Sequence, residues 1–446
     1  MTNDYLADRL NVVAADRSEL NAKLAVLVDV FGEQWLKSNG GNPLQLLWAR
    51  KDVLATNELL NFGDAVERHH GAYDKWIRHS AKIIKTGDAG QVAGALFEIV
   101  ALNLFERNAC RVVPAPESMP GFDGTVHLKN DTARVCVSVK NHGISARERE
   151  FLAEAGAFDL EFQAQLEAHF LRDLEINVVG TRHLDSGDFR SLKIDIATLL
   201  ADFTSQRISG DVVRPYVMVL RGLSRQYAPL SAFGNSTSCR IITPIAKNEQ
   251  ANFEDAIRKG CENLYAHTRN ATGEVCRMIM LRLSNAASTA RCQEWATWYF
   301  KEYPDEPVDA ILLYQPAVTT NLVENTDAIV HHVAVIEGPR LSHWQQKADG
   351  SQRRLPNISF LVGYVSAMQS KMQLVADGDK TVDLENHYIY QRADVYQKVE
   401  LSEGVTANFS TPAPGTVLQA ILEQNGTPVM TLAPQSGREK SLVLFP

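Results

Sequence analysis

The chain has little of what marks a membrane or secreted protein. No run of about eighteen apolar residues occurs among its 446 residues, so no segment is long enough for a transmembrane helix. The N-terminus (MTNDYLADRLNVVAADRSEL) lacks the basic start and the apolar centre of a secretory signal. We therefore expect a cytoplasmic protein that has no membrane partner.

Closely spaced cysteines are also absent. The six cysteines lie far apart and include no CxxC motif: Cys110, Cys136, Cys239, Cys261, Cys276 and Cys292. We interpret them as reduced core residues, because a zinc site or a disulfide framework needs a recognisable spacing. A glycine-rich phosphate loop of the Walker type is missing as well, so any NTP-driven step would need a partner protein.

The chain also has no excess of positive charge. The formal net charge is −8, which argues against a protein that coats nucleic acid indiscriminately. A local basic groove remains open, and two polar segments supply its candidates: Arg182, His183, Arg190 and Lys193 in the first, and Lys347, Arg353 and Arg354 in the second.

Length and composition predict several soluble domains. A chain of 446 residues exceeds a single hydrophobic core, and its 45% hydrophobic and 22% charged residues are ordinary for a globular protein. We expect an α/β multidomain protein with four regions: a helical N-terminal region at 1–86, a core at 87–180, an α/β extension at 181–345 and a β-rich C-terminal module at 346–446. The first region is interpreted as a helical cap or dimerisation arm. The last is interpreted as a module that recognises DNA, binds a partner or completes a dimer. Its strands are predicted at 358–365, 387–391, 405–410, 429–432 and 441–445.

The most informative segment is a helix with one carboxylate among apolar residues. Residues 91–107 (QVAGALFEIVALNLFER) are predicted to be helical, and Glu98 is the only charged residue before Glu106. Phe97 and Ile99 flank it on either side. A charge in such surroundings needs a partner, because an unpaired buried charge is costly.

Spacing predicts a β-hairpin after this helix. Two short runs are rich in strand-forming residues, at 121–129 (GFDGTVHLK) and 132–140 (TARVCVSVK). Asn130 and Asp131 separate them, and this pair suits a two-residue turn. With that turn the numbers of paired residues add up to 261, so Asp123 faces Ser138. Lys140 then lies one diagonal step away on the same face, and an acid and a lysine converge.

This convergence has a chemical interpretation. Carboxylates are hard oxygen ligands for Mg²⁺, which polarises a phosphate and lowers the pKa of a bound water. A nearby ammonium group stabilises the anionic transition state or orients the nucleophile. Hydrolysis of a phosphodiester fits this set of groups.

At this point the residues resemble the PD-(D/E)XK nuclease superfamily, which has the restriction-endonuclease-like fold. Its pattern is a helix with a Glu, then a hairpin with an Asp on one strand and (D/E)-x-Lys on the next. Glu98, Asp123 and Ser138-Val139-Lys140 occupy the corresponding positions here. The resemblance covers about 85 of the 446 residues, from 88 to about 173, and implies an αβββαβ core. The last strand of that succession is predicted at 176–180.

Two departures from the family pattern matter. The proline is displaced, since Pro120-Gly121-Phe122 precedes Asp123, and Ser138 replaces the middle carboxylate. Some restriction enzymes of this superfamily carry Ser-Val-Lys at this place and recover the missing carboxylate from a Glu on the following helix.

Glu154 resembles such a migrated ligand. It lies fourteen residues after Lys140, on a predicted helix that opens with the capping-box sequence Ser145-Ala-Arg-Glu148. Glu148 and Glu150 compete for the same role, because the turn from strand to helix can bring either of them closer.

Each of these residues also has a structural interpretation. Glu98 could be a buried acid bonded to a backbone amide or an arginine, Lys140 a solvated charge at a strand edge, and Asp123 a turn residue. Ser138 is a placeholder and not a nucleophile, because no neighbouring His or Asp is arranged to activate it. His142 is interpreted as a residue that orients a loop or contacts a phosphate, with general-base catalysis as the alternative.

The resemblance implies a Mg²⁺-dependent DNA endonuclease of bacterial restriction or anti-phage defence, with Mn²⁺ as a substitute metal. Asp123, Glu98 and Glu154 would hold the metal, and Lys140 would stabilise the phosphate or orient the attacking water. Cutting both strands with one site per chain favours a homodimer, and a protein partner of the same defence system would also fit. Two alternatives stay open: an RNA-directed nuclease on the same core, and an inactive nuclease-like binding or assembly protein.

Overall fold

The computed structural model describes residues 3–444 with gaps. The gaps lie at residues 12, 14, 117, 120, 130, 144, 172–173, 205–211, 223–236, 285–286, 322–325, 348, 368–372, 377–379, 384–385, 393–396, 403–404, 411–418, 425–426 and 433–441. Within the described residues, helices and strands give the mixed α/β architecture that the sequence predicts.

The helices are α1 Arg17–Phe31, α2 Glu33–Leu36, α3 Pro43–Ala49, α4 Val53–His69, α5 Asp74–Thr86, α6 Ala89–Asn103, α7 Ala146–Ala168, α8 Ser186–Thr204, α9 Glu249–Thr268, α10 Thr289–Glu302 and α11 Leu341–Gln345. The strands are β1 Cys110–Pro114, β2 Gly124–Leu128, β3 Arg134–His142, β4 Leu174–Gly180, β5 Val212–Val213, β6 Tyr216–Gly222, β7 Ser238–Pro244, β8 Val275–Leu283, β9 Ala310–Asn321, β10 Thr326–Glu337, β11 Tyr364–Ala367, β12 Gln373–Ala376, β13 Lys380–Asp383, β14 His387–Arg392, β15 Gln397–Ser402, β16 Val405–Ser410, β17 Gln419–Gln424 and β18 Thr427–Leu432.

The N-terminal region is helical, as its periodicity predicts, but it is packed into the core of the sheet. Three of its helices start after a side chain that accepts a hydrogen bond from the helix backbone: Asp16, Asn42 and Asp52. Phe62 of α4 belongs to the same buried cluster as Phe97 of α6 and Val137 of β3. The region is therefore continuous with the core and is not a detached arm.

The predicted hairpin is present with the predicted register. β1, β2 and β3 form an antiparallel meander, and every observed β2–β3 pair, from Gly124–Val137 to His127–Arg134, has numbers that add up to 261. The prediction of a two-residue turn is wrong, because β2 ends at Leu128 and β3 begins at Arg134. Asn130 lies outside the described residues.

Asp131 explains why the connection is wider than predicted. Its Oδ1 accepts a hydrogen bond from the Ala133 amide at 2.9 Å, and Oδ2 accepts one from Arg353 at 2.9 Å. Lys347 lies 3.4 Å from the same carboxylate. Two of the candidate groove cations therefore hold this loop, and long-range ion pairing overrides the local turn preference.

The strand that completes the first sheet is not the predicted one. β3 pairs in parallel with β8, β8 pairs in parallel with β9, and β9 is antiparallel to β10. Helix α9, which precedes β8, packs on β3. The sequence assigns this position to the strand near 176–180, but that strand, β4, lies in another sheet.

The second sheet has the order β14-β7-β4-β6-β5. It has its own buried cluster, in which Ile176 and Val178 of β4 meet Phe158 of α7 and Leu192 of α8. Helix α7 and strand β4 are predicted to be part of the core at 87–180. In the structure they belong to the second sheet, because their apolar faces pack in its buried cluster. In sequence order the segment lies between β3 and α9, and the predicted extension at 181–345 is divided between the two sheets.

The C-terminal region is rich in strands, as predicted, but most of its strands join the two large sheets, and β12 and β13 form a two-stranded sheet of their own. β11 pairs with β10, β18 pairs with β9, and β14 forms an edge of the second sheet. The predicted strand at 358–365 is largely loop, because the backbone of Val362 hydrogen-bonds to the side chain of Asn61 instead of to a strand. The predicted strand at 441–445 lies partly outside the described residues, and its described part, 442–444, contains no strand.

All six cysteines are buried and none forms a disulfide, which agrees with the core interpretation. In the part of the chain that the structure describes, none of the helices combines the length and apolarity that a bilayer crossing requires.

Glu58 provides a test of how the C-terminal segment is anchored. The carboxylate is buried in α4 and accepts hydrogen bonds from the amides of Val443 at 2.9 Å and Leu444 at 3.0 Å. Burial raises its pKa from 4.5 to about 7, and the two amides oppose this shift. The protonated Glu58 carboxyl group therefore contributes fully to the stability of the folded state below pH 4.5, and this contribution is lost as the pH rises through about 7.

We predict that the free energy of unfolding of the wild type falls relative to that of Glu58→Gln by about 2 kcal/mol between pH 5 and pH 8. Urea denaturation at both pH values measures the difference. Glu150→Gln, an exposed acid on α7, is the control and should follow the wild type. An unchanged difference between wild type and Glu58→Gln would contradict the assigned shift.

Candidate active site

Glu98 lies in the middle of α6, where Asp88 and Gln91 form a capping box at the start of the helix. Its neighbours Phe97 and Ile99 are fully buried, while Glu98 itself is half-buried. Its Oε1 accepts a hydrogen bond from the indole Nε1 of Trp76 at 3.1 Å. The partner that the sequence requires for this acid is thus in part a tryptophan of α5.

Asp123 immediately precedes β2 and is held by its neighbours in the sheet. Its backbone amide donates to the carbonyl oxygen of Val137 at 3.0 Å, and its carbonyl oxygen accepts from the amide of Ala115 at 2.9 Å. Its Oδ2 accepts a hydrogen bond from the amide of Val139 at 2.6 Å. The carboxylate therefore takes a fixed orientation at the point where the hairpin ladder ends.

Two glycines beside Asp123 allow this geometry. Gly121 has φ +77°, a conformation that side chains other than glycine rarely adopt. At Gly124 an added Cβ would lie 2.8 Å from Cδ2 of Leu102 on α6. The missing side chain at Gly124 lets α6 approach β2 closely, and this brings the helix of Glu98 to the strand of Asp123.

Lys140 lies on β3 and is half-buried. Successive residues of a strand alternate between its faces, so Lys140 shares a face with Ser138 and His142. Burial lowers the pKa of the Lys140 ammonium, and the charges of Asp123 and Glu98 oppose the shift. The structure therefore brings the three predicted side chains into one electrostatic group, although they come from α6, the start of β2 and β3.

The pKa values of the two acids in this group are raised, because burial disfavours their ionised forms. Burial raises the pKa of Glu98 from 4.5 to about 7, the nearby Asp123 carboxylate raises it further, and Trp76 and Lys140 oppose the shift. Burial also raises the pKa of Asp123, against the Val139 amide and the Lys140 charge. Two acids whose ionised forms are disfavoured are stabilised by a cation between them.

The donors present fit a magnesium site with two protein ligands. Mg²⁺ is commonly bound by one or two carboxylates, while waters and substrate phosphates complete its octahedral shell. Glu98 and Asp123 supply two such carboxylates. Among the described residues, no group of three or more His, Cys, Asp or Glu side chains is placed to hold a metal ion, so an all-protein cage is not formed here.

Ser138, at the position of the missing carboxylate, is fully buried. Its hydroxyl donates a hydrogen bond to the carbonyl oxygen of Gly121 at 2.8 Å. This contact supports the loop before Asp123 and agrees with the interpretation of Ser138 as a placeholder.

Glu154 lies on α7, which packs on the second sheet through Phe151 and Ala155. It is half-buried and is not among the groups that shift the pKa of Glu98, Asp123 or Lys140. Its proposed role as a migrated ligand therefore gains no support from this arrangement and stays a prediction.

Glu148, the competing candidate, belongs to a second polar cluster. Burial raises its pKa to about 7, the positive charge of Arg291 opposes the shift, and Glu249 adds to it. His142 faces the same two residues, and its ring packs edge-on against Phe253 at 5.2 Å. Burial lowers the pKa of His142, which agrees with a packing role more than with a general base. Nothing in the sequence marked Glu249 or Arg291, because both lie far along the chain on helices without a motif.

Arg182 is another groove candidate that has a defined contact. It donates to both carboxylate oxygens of Asp188, at 2.7 and 2.9 Å. This bidentate pair fixes the turn before α8. Arg182 is therefore exposed but already paired with a carboxylate.

Searches against protein-family models, curated proteins and solved structures find no match for this chain. The geometry of the site is thus the basis for any statement on function.

We predict that Asp123→Asn and Glu98→Gln each weaken Mg²⁺ binding by at least about tenfold, because each removes a charged ligand; loss of an outer-sphere partner alone has an effect of this size. Isothermal titration calorimetry at pH 8 measures the affinity. Glu161→Gln, at an exposed acid of α7 that is not a candidate ligand, is the control and should bind within about twofold of the wild type. Glu154→Gln discriminates between two and three protein ligands, since only a ligand role predicts weaker binding. Unchanged affinity in both Asp123→Asn and Glu98→Gln would contradict the site.

Proposed function

We propose that the protein is a Mg²⁺-dependent nuclease that hydrolyses phosphodiester bonds. The observation that supports this most is the convergence of Glu98, Asp123 and Lys140 in one half-buried group, with both acids raised in pKa and the amine lowered. Strongly shifted titratable groups that share a site are typical of catalytic centres. The order of the three along the chain also follows the pattern of the PD-(D/E)XK superfamily.

Each residue has a distinct role in this proposal. Asp123, whose Oδ2 accepts a hydrogen bond from the Val139 amide, would bind the cation beside the scissile phosphate. Glu98 supplies the second carboxylate, and Glu154 is a further proposed ligand, direct or through water. Mg²⁺, or Mn²⁺ in its place, would polarise the phosphate and lower the pKa of a bound water. Lys140 stabilises the negative charge that develops on the pentacovalent phosphate or orients the attacking water.

DNA is the proposed substrate, and bacterial restriction or anti-phage defence is the proposed context. Both come from the family resemblance. One site per chain cuts one strand at a time, so a double-strand cut favours a homodimer with two sites. A protein partner from the same defence system is part of the same proposal.

We predict that supercoiled plasmid is nicked or linearised in the presence of Mg²⁺ and stays intact with EDTA. Lys140→Ala and Asp123→Ala should each lower the cleavage rate by about 10² or more, because each removes a group that stabilises the transition state. Lys129→Ala, at the exposed end of β2, is the matched control for the loss of a lysine.

Full activity in both Lys140→Ala and Asp123→Ala would remove this mechanism. The same assay with tRNA or structured RNA under identical metal conditions separates the RNA-directed alternative from the DNA endonuclease.

An inactive nuclease-like binding or assembly protein is the second candidate, and Ser138 favours it. The hydroxyl at the carboxylate position is committed to the Gly121 carbonyl, so one acid of the family pattern is lost without a visible replacement among the described residues. Calorimetry with Mg²⁺ and Mn²⁺, with and without nucleic acid, separates the two candidates. The binding protein predicts no metal binding in either case.

A further inference from the structure

The indole of Trp76 reaches the proposed metal site from the N-terminal helical region. Trp76 lies in the first turn of α5, and its Nε1 donates to Oε1 of Glu98 at 3.1 Å. Among the described residues it is the one hydrogen-bond donor to that carboxylate. Helices α5 and α6 pack against each other, so the contact is part of the packing between the helical region and the core.

We propose that Trp76 positions Glu98 for cation binding, which makes the helical region part of the active site. This inference rests on the proposed function. It assigns to the region a role that its sequence does not suggest, since the pattern there indicates only helices.

The chemistry of the indole suits this role. Its N–H is a donor only and cannot itself ligate a cation. It fixes one oxygen of Glu98 and leaves the second oxygen, together with a lone pair of the first, for a metal ion. Phe97 and Ile99 on the flanks of Glu98 are apolar and buried, so they offer the carboxylate no alternative donor.

The indole is held in place by its own neighbours. The ring of His69, at the end of α4, lies edge-on to it with centroids 5.3 Å apart and an interplanar angle of 79°. Tyr73 packs on the other side of His69 with centroids 6.1 Å apart. His69 is fully buried, and burial lowers its pKa to about 3, so a neutral imidazole forms this contact. The aromatic packing restricts rotation of the indole and hence the direction of its N–H.

A positioning role makes a specific prediction about ion selectivity. Mg²⁺ demands near-ideal octahedral geometry, whereas Ca²⁺ accepts variable coordination by flexible ligands. A Glu98 that has lost its anchor can still provide charge, but it provides it in variable orientations. Loss of the indole N–H should therefore weaken the binding of Mg²⁺ more than that of Ca²⁺.

The test compares Trp76→Phe with the wild type by calorimetry, using MgCl₂ and CaCl₂ at one pH. We expect Mg²⁺ affinity to fall about tenfold, as loss of an outer-sphere partner does. We expect Ca²⁺ affinity to change by less than about threefold, because its geometry is less strict. Trp35→Phe is the matched control: Trp35 lies on α2 and stacks on Phe31, and its variant should bind both ions as the wild type does. Equal weakening of both ions, or no change in either, overturns the inference.

A second measurement decides the question if Trp76→Phe does not fold. In the Trp35→Phe protein, Mg²⁺ should change the tryptophan emission with a midpoint at the calorimetric Kd, and the change should vanish when Glu98→Gln is added. Emission that does not respond to Mg²⁺ overturns the inference. If the wild type binds Mg²⁺ and Trp76→Phe binds it equally well, this inference alone fails. If the wild type binds no Mg²⁺, the proposed function fails with it.

Discussion

The electrostatic interaction among the half-buried Glu98, Asp123 and Lys140 links helix α6 to the hairpin. Burial disfavours the charged form of each group, and the opposite charges keep all three in place. The capped helix α6 carries one acid, the hairpin carries the other acid and the amine, and the small Gly124 lets the helix and the hairpin meet. In the proposed function, a cation and a phosphate would complete this balance of charge.

The sequence predicts the local part of this site well because the determinants are local. The apolar run around Glu98 indicates the helix, and alternation fixes the hairpin register even though the turn is wider than predicted. Long-range pairing is different. The patterns of α7-β4 and α9-β8 are equivalent in the sequence, and only the burial of β4 between β6 and β7 decides that β8 lies beside β3. Trp76 has no signal at all, because its contact with Glu98 depends on how two helices pack.

The second sheet is a feature that the family pattern does not predict. Four of its five strands lie between β3 and α9 in the chain, and α7 carries Glu154 toward a separate buried cluster. The polar group formed by His142, Glu148, Glu249 and Arg291 joins elements of both layers. Helices α1–α5 share the core of the first sheet, and the C-terminal strands close on both sheets. The site thus lies in a framework where the helical region, the first sheet and the inserted layer are mutually packed.

The central claim is that the carboxylates of Glu98 and Asp123 bind a divalent cation beside the Lys140 ammonium. A crystal structure of the protein soaked in MnCl₂, with anomalous diffraction, tests it most directly. The account predicts an anomalous peak between the carboxylates of Glu98 and Asp123, with the Lys140 ammonium nearby and the Trp76 indole still bonded to Glu98. Anomalous peaks for Mn²⁺ elsewhere in the protein, with no metal at Glu98 and Asp123, would contradict it.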